Sequence, residues 1–258
     1  MGRRMVYCDR NEPHDANTPG KPKAAAAGYA ATGGAVNYTF QFGDVWAAWP
    51  SLLWGTWLTI QLSASTMVLG LLVAVICALG KTMGPRPVRW AVNVYIEVIR
   101  NTPFLVQLFL IFFGLPAIGV RLDSNEAALL AMVVNVGAYA TEIVRAGIEN
   151  IHRGQIEAGL ALGMRPLQVF RYIILFPALK TVYPALCGQF ILNMLASSVV
   201  STISAQELTA AANDLQSSTF RSFEIYIVVT GIYLVLSLAF SGAFAAIHRA
   251  VFVESERG

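Results

Sequence analysis

Charge is scarce in this chain. Lys, Arg, Asp and Glu make up 13% of its 258 residues, against about 25% in an ordinary soluble domain, while 56% are hydrophobic. The 18 basic and 15 acidic residues leave a net charge of +3 and sit at the ends of apolar runs, so no basic face for nucleic acid forms. Cysteine is scarcer still: Cys8, Cys77 and Cys187 lie far apart, the last two inside apolar runs, which gives neither a disulfide framework nor a metal-ligand spacing. There is no G-x-x-x-x-G-K-[ST] phosphate loop, so any ATP the protein depends on is bound elsewhere. The few polar residues in the apolar runs offer no nucleophile-and-base set, which argues against a membrane-embedded enzyme.

What the chain does have is long uncharged runs. None of the residues from Val45 to Gly80 is charged, a stretch longer than the roughly 20 residues that cross a bilayer as helix. The first span is expected at about 50–80, behind an interfacial approach of Tyr38, Phe40, Phe42, Trp46, Trp49, Trp54 and Trp57. Further spans are expected at about 90–115, disturbed at Pro103, and at 127–149, 181–205 with Pro184 in its first turn, and 225–247. Residues 1–36, rich in Ala, Gly, Pro and mixed charge, read as a disordered tail, and 252–258 as a short C-terminal tail. The expected class is therefore an all-α membrane protein of five transmembrane helices.

Orientation follows from Lys and Arg in the connectors. Lys81, Arg86 and Arg89 mark the first connector, Arg121 the second, Arg145, Arg153, Arg165, Arg171 and Lys180 the third, Arg221 the fourth, and Arg249 and Arg257 the end. This alternation puts the first, third and C-terminal segments in the cytoplasm and the N-terminus outside. The basic residues of the N-terminal tail argue the other way, but they lie beyond the roughly 20-residue window in which the rule works.

The third connector, about 150–180, carries a polar-faced segment, Gly154-Gln155-Ile156-Glu157-Ala158-Gly159-Leu160-Ala161-Leu162-Gly163-Met164. Gln155 to Leu162 are good helix formers, Gly163 suits a left-handed helix end, and Pro166 suits the first turn of a following helix through Leu167, Phe170, Tyr172, Ile173 and Ile174. A helix, a glycine elbow and a second helix are expected.

This string resembles the "EAA...G" loop of importer-type ABC transporter permeases. Arg100-Asn101-Thr102-Pro103 with Gln107, Ala138 through Arg145, Pro177-Ala178-Leu179 and Glu207-Leu208, in this order, resemble the permeases of polar amino acid ABC importers, the histidine, glutamine, glutamate, arginine and opine group. The resemblance implies a type I importer transmembrane domain over about 37–251, in a bacterial inner membrane, with no cofactor of its own. It implies a second permease, two ATPase subunits that bind ATP and Mg, and an extracytoplasmic substrate-binding protein. It assigns Gly154, Gln155, Glu157, Ala158, Gly159, Leu162 and Gly163 to ATPase coupling. Three departures stand out: Gly159 replaces an Ala, Phe176-Pro177-Ala178 lacks a Gln, and Leu195-Ala196-Ser197-Ser198-Val199 lacks a Lys and the Asp or Asn after it. The last favours a heterodimer whose partner carries the missing groups.

Glu142 is the candidate of most interest in the spans, because a carboxylate there is costly unless it faces a partner or a wet pathway. Its alternative is a structural pair with Arg145 or Arg100. Gln107, Asn135, Tyr139, Ser197 and Ser198 could line the same route, or simply hold helices together. Glu97 with Arg100 reads as a membrane-edge pair and His152 as a solvated loop residue. The rival to an ATP-driven importer is an ion-gradient-driven secondary transporter, although no internal repeat is visible.

Overall fold

A computed structural model describes residues 39–165 and 168–253. The chain divides into two units at Thr39/Phe40, and the architecture below is that of Phe40–Gly258. The expected tail over 1–36, together with Tyr38, Pro166, Leu167 and residues 254–258, lies outside the described residues.

The described secondary structure is helical. A short α1 (Gly43–Ala47) leads into α2 (Trp49–Met83), with Pro50 in its first turn, where a missing N–H costs nothing. Then follow α3 (Arg86–Arg100), α4 (Phe104–Ala117), α5 (Ser124–Glu149) and α6 (Arg153–Ala161). A π-helical segment, Val169–Leu175, runs into α7 (Phe176–Ala196), and a 3-10 segment, Ser197–Ile203, extends it. α8 (Leu208–Thr219) and α9 (Ser222–His248) complete the set, with a π turn at Arg249–Val253. Trp49–Thr82, Ser124–Glu149, Arg171–Ile203 and Ser222–Phe252 are long and apolar enough to cross a membrane.

The remaining expected span, 90–115, is not one helix. α3 and α4 meet at a break with a bend of 110°, so the spans number four, or five if this pair counts as one. Pro103 lacks the N–H that would continue α3 and pushes Thr102 out of helical backbone. The break is then pinned by Gln107, which is buried. Its Nε2 donates to the carbonyls of Ile99 (2.7 Å) and Thr102 (3.0 Å), and its Oε1 accepts from Asn135 Nδ2 of α5 (2.9 Å). Two carbonyls orphaned by the proline thus regain a donor, as backbone in hydrocarbon must.

The span expected at 181–205 also starts earlier, because the π segment feeds straight into α7. Pro177 occupies the first turn and Pro184 lies inside the helix. By contrast α5 starts near its expected position and for a readable reason: Asp123 and Glu126 form a capping box, Glu126 N–H donating to Asp123 Oδ1 and Asp123 N–H to Glu126 Oε2.

α5 is the central helix, and two of the three core clusters of the described residues lie around it. Ala127, Ala128, Ala131 and Met132 pack with Leu108, Val200 and Ile203 at one end. At the other, Val136 and Ala140 pack with Ala74, Val182, Leu186 and Phe190. α2 approaches closely at Gly137, where a Cβ would come within 2.8 Å of Val73 Cγ1 and of the Tyr95 hydroxyl. Small residues at such crossings are how helices associate in a medium as apolar as their own side chains.

Candidate functional site

α5 and α7 are the two helices that run into the hairpin, one entering it and one leaving. Between them, and against the end of α3, lies a groove of about 800 Å3, lined by Arg100, Tyr139, Glu142, Asn150, Thr181 and Gln189 among others. Its charge is ordered. Glu142 takes Lys81 Nζ of α2 on Oε1 (2.7 Å) and Arg145 Nη2 on Oε2 (2.9 Å), and Arg145 reaches on to Glu149. Lys81, Glu142 and Arg145 are each about four-fifths buried, so water screens these pairs only partly. The two cations and two carboxylates cancel.

Arg100 is therefore the groove's excess charge. Its guanidinium lies over the Tyr139 ring, 5.5 Å from the centroid, and among the described residues no hydrogen bond or ion pair engages it. Glu97, read from the sequence as its partner, instead accepts from Asn101 Nδ2 (3.0 Å).

Of the pathway candidates, the structure brings Glu142 and Tyr139 to the groove and leaves four elsewhere. Gln107 and Asn135 bond each other at the α3–α4 break. Ser197 Oγ donates to the Met194 carbonyl (2.7 Å) and Ser198 Oγ to that of Leu195 (2.8 Å), so both hydroxyls serve their own helix. Arg100, Thr181 and Gln189 line the groove without having been singled out for it. Thr181 and Gln189, eight residues apart with Ala185 between them, share a helix stripe, a signal readable once α7 is known to begin at 176.

The hairpin's first limb is α6. It ends at Gly163, whose φ is +79°, with Met164 N–H bonded to the Gly159 carbonyl (3.2 Å) and Gly163 N–H to that of Leu160 (3.0 Å). This pair of bonds satisfies the last carbonyls of α6 and needs a left-handed residue, which glycine adopts without strain. Gly159 is buried, and a Cβ there would sit 2.3 Å from Ile173 Cδ1 of the returning limb, so Ile173 fills the space that an alanine methyl would take. Gly154, Gln155, Glu157, Ala158 and Leu162 are exposed. So are Leu160, Leu162 (83%) and Tyr172, an apolar tip that none of the described residues covers.

At the opposite end of the spans, Glu207 is buried at the start of α8. It accepts from Ala210 N–H (2.7 Å) and the Tyr233 hydroxyl (2.7 Å), while Leu208 N–H donates to Thr59 Oγ1 (3.0 Å). Burial pushes the Glu207 carboxyl above the ordinary carboxylate value, partly offset by these donors. This cluster ties α2, α8 and α9 together and is separate from the groove.

Residues 67–253 match the family model described as binding-protein-dependent transport system inner membrane component. The chain is 35% identical over 204 residues to the glutamine transport system permease protein GlnP of Escherichia coli (strain K12), covering 78% of this chain and 93% of that one. It is 38% identical over 194 residues to the L-cystine transport system permease protein TcyB of Bacillus subtilis (strain 168), covering 75% and 83% respectively. A chain in the crystal structure of an amino acid ABC transporter with histidines superposes with a TM-score of 0.77 at 37% identity, covering 83% of this chain and all of that one.

Proposed function

This chain belongs to the binding-protein-dependent transport system inner membrane component family, as an amino acid ABC importer permease, and we propose that it forms half of a pathway for a polar amino acid driven through the 154–164 hairpin. The observation that carries this reading is connectivity: the walls of the groove, α5 and α7, are the two helices joined by the hairpin. A rigid-body displacement of the hairpin by a closing ATPase dimer would move both walls at once. The exposed Leu160, Leu162 and Tyr172 supply the apolar contact for that ATPase. ATP and Mg belong to the ATPase, and the N-terminal side of the membrane faces a substrate-binding protein.

The groove suits a zwitterion. Arg100 presents N–H donors to an α-carboxylate, and Glu142 and Glu149, although already paired with cations, keep lone pairs that can accept from an ammonium group. The end of α7, with Leu195 exposed, and the start of the 3-10 segment, with the Ser197 and Ser198 hydroxyls donated to α7 carbonyls, add no charge to the pathway. This lack supports a heterodimer in which a related permease supplies that charge. The likeness to a chain of an amino acid ABC transporter favours ATP over an ion gradient as the driving force. Purifying the complex from its native membrane with a tag on this chain tests the reading: two different permeases and an ATPase are expected together. A transport-competent complex with this permease alone refutes the heterodimer, and one without any ATPase refutes the whole reading.

A further inference from the structure

A second cavity opens on a neighbouring face of α7, along Ala178, Leu186 and Phe190, whereas the groove runs along Thr181, Ala185 and Gln189; Val182 borders both. It measures about 420 Å3 and is walled by α2, α5, α7, α9 and the π segment that returns from the hairpin. Among the described residues no charged or amide side chain lines it. The hydroxyl of Tyr183 is already donated to the Phe244 carbonyl (2.9 Å). Water needs two to four polar partners to stay in such a space, and these walls do not supply them. Left empty, the walls would lose the dispersion contacts that a filled interior makes. The α2, α5, α7 and α9 walls all belong to segments apolar enough to cross a membrane, so hydrocarbon is the medium these walls suit.

The cavity adjoins a recess of about 450 Å3 that shares Tyr183, Cys187 and Phe244 with it and adds Ser241, His248 and Arg249. His248 is held between the rings of Tyr183 (5.6 Å) and Phe252 (5.3 Å), and Arg249 is exposed. Among the described residues no carboxylate lines either space. We propose that cavity and recess together hold one anionic phospholipid of the surrounding bilayer, an acyl chain in the cavity and the phosphate at His248 and Arg249. At about 420 Å3 the cavity is many times the roughly 10–15 Å3 that holds one water, room for a stretch of acyl chain. An acyl chain gains little hydrophobic free energy on leaving a bilayer as apolar as leucine, so the headgroup charge sets the preference and filling the void holds the chain. Ile174 and Leu175 of the π segment are wall residues, so the lipid sits between the hairpin's returning limb and α9.

The test is photolabelling of the intact complex in nanodiscs of phosphatidylcholine, containing a small fraction of phosphatidylglycerol with a diazirine on its acyl chain, mapped by mass spectrometry. Label is expected on Leu186, Cys187 and Phe244 several-fold above the exposed Leu234 and Val235 of α9. Leu186→Trp, which fills the cavity, and Arg249→Ala, at an exposed position, should each lower that labelling and leave Leu234 and Val235 unchanged. A phosphatidylcholine probe with the same tail should label the cavity less. Labelling of the wall no stronger than of Leu234 overturns the proposal, as does equal labelling by both headgroups with no effect of Arg249→Ala. A cross-link from Cys187 to a second permease chain overturns it too, because protein would then cover the cavity.

Discussion

Glu157→Lys and Gly163→Pro should each leave the permease in the membrane and abolish ATP-driven uptake. The two changes act by different physics. Glu157 is an exposed residue of α6, and substitution at such a site alters stability by only about 0.5 kcal/mol. Against a docked ATPase that accommodates a carboxylate, however, the reversed charge costs about 2–5 kcal/mol, a factor of about 30 or more in affinity. Gly163 sits at φ +79°, whereas proline is fixed near −65°, so Gly163→Pro removes the turn between α6 and the returning limb. It also deletes the N–H that satisfies the Leu160 carbonyl. Uptake by reconstituted complex, with ATPase recruitment measured in parallel, is the readout. Normal uptake by both variants would remove the hairpin from the coupling path.

Glu142→Gln has the second large effect. The change keeps the shape but leaves Lys81 and Arg145 facing each other with no carboxylate between them, about four-fifths buried. Losing hydrogen bonds to a charged group, with partial water access tempering the cost, is worth about 1–3 kcal/mol. A lower melting temperature of the purified complex is therefore expected together with weaker uptake. Lys81→Met combined with Glu142→Gln should restore part of the stability, since the unpaired cation goes with its partner. If Glu142 also faces substrate, uptake stays low in the double variant even where stability returns. Recovery of both together would confine Glu142 to holding α2 against α5.

How much of this was readable from the sequence depends on the range over which each signal acts. The spans around Val45–Gly80, 127–149 and 225–247 are set by local hydrophobicity, and the hairpin's elbow by one glycine, so both were readable. The break at Pro103 was visible as a disturbance, but its 110° angle was not. The angle depends on Gln107 reaching back to Ile99 and across to Asn135 of another helix. A glutamine in an apolar run looks the same whether it lines a pathway or patches a broken backbone. Ser197 and Ser198 pose the same ambiguity, and their hydroxyls bond carbonyls three residues back, a contact that hydropathy alone does not show. The Glu142 pair with Arg145 follows from helical spacing, whereas Lys81 is 61 residues away and arrives only through the α2–α5 crossing at Gly137. Arg100 was misread because its three-residue spacing from Glu97 suggested a pair, while the chain places it over Tyr139 at the groove's edge.

The central claim is that an ATPase engages the tip of the hairpin, and Leu162, 83% exposed, is the place to ask. A photo-crosslinking amino acid placed at Leu162 in the otherwise native complex, irradiated in membranes with and without ATP, gives the most direct answer. The account predicts a cross-link to the ATPase subunit whose yield changes when ATP is added. A cross-link only to lipid or to a permease chain, with or without nucleotide, would contradict it.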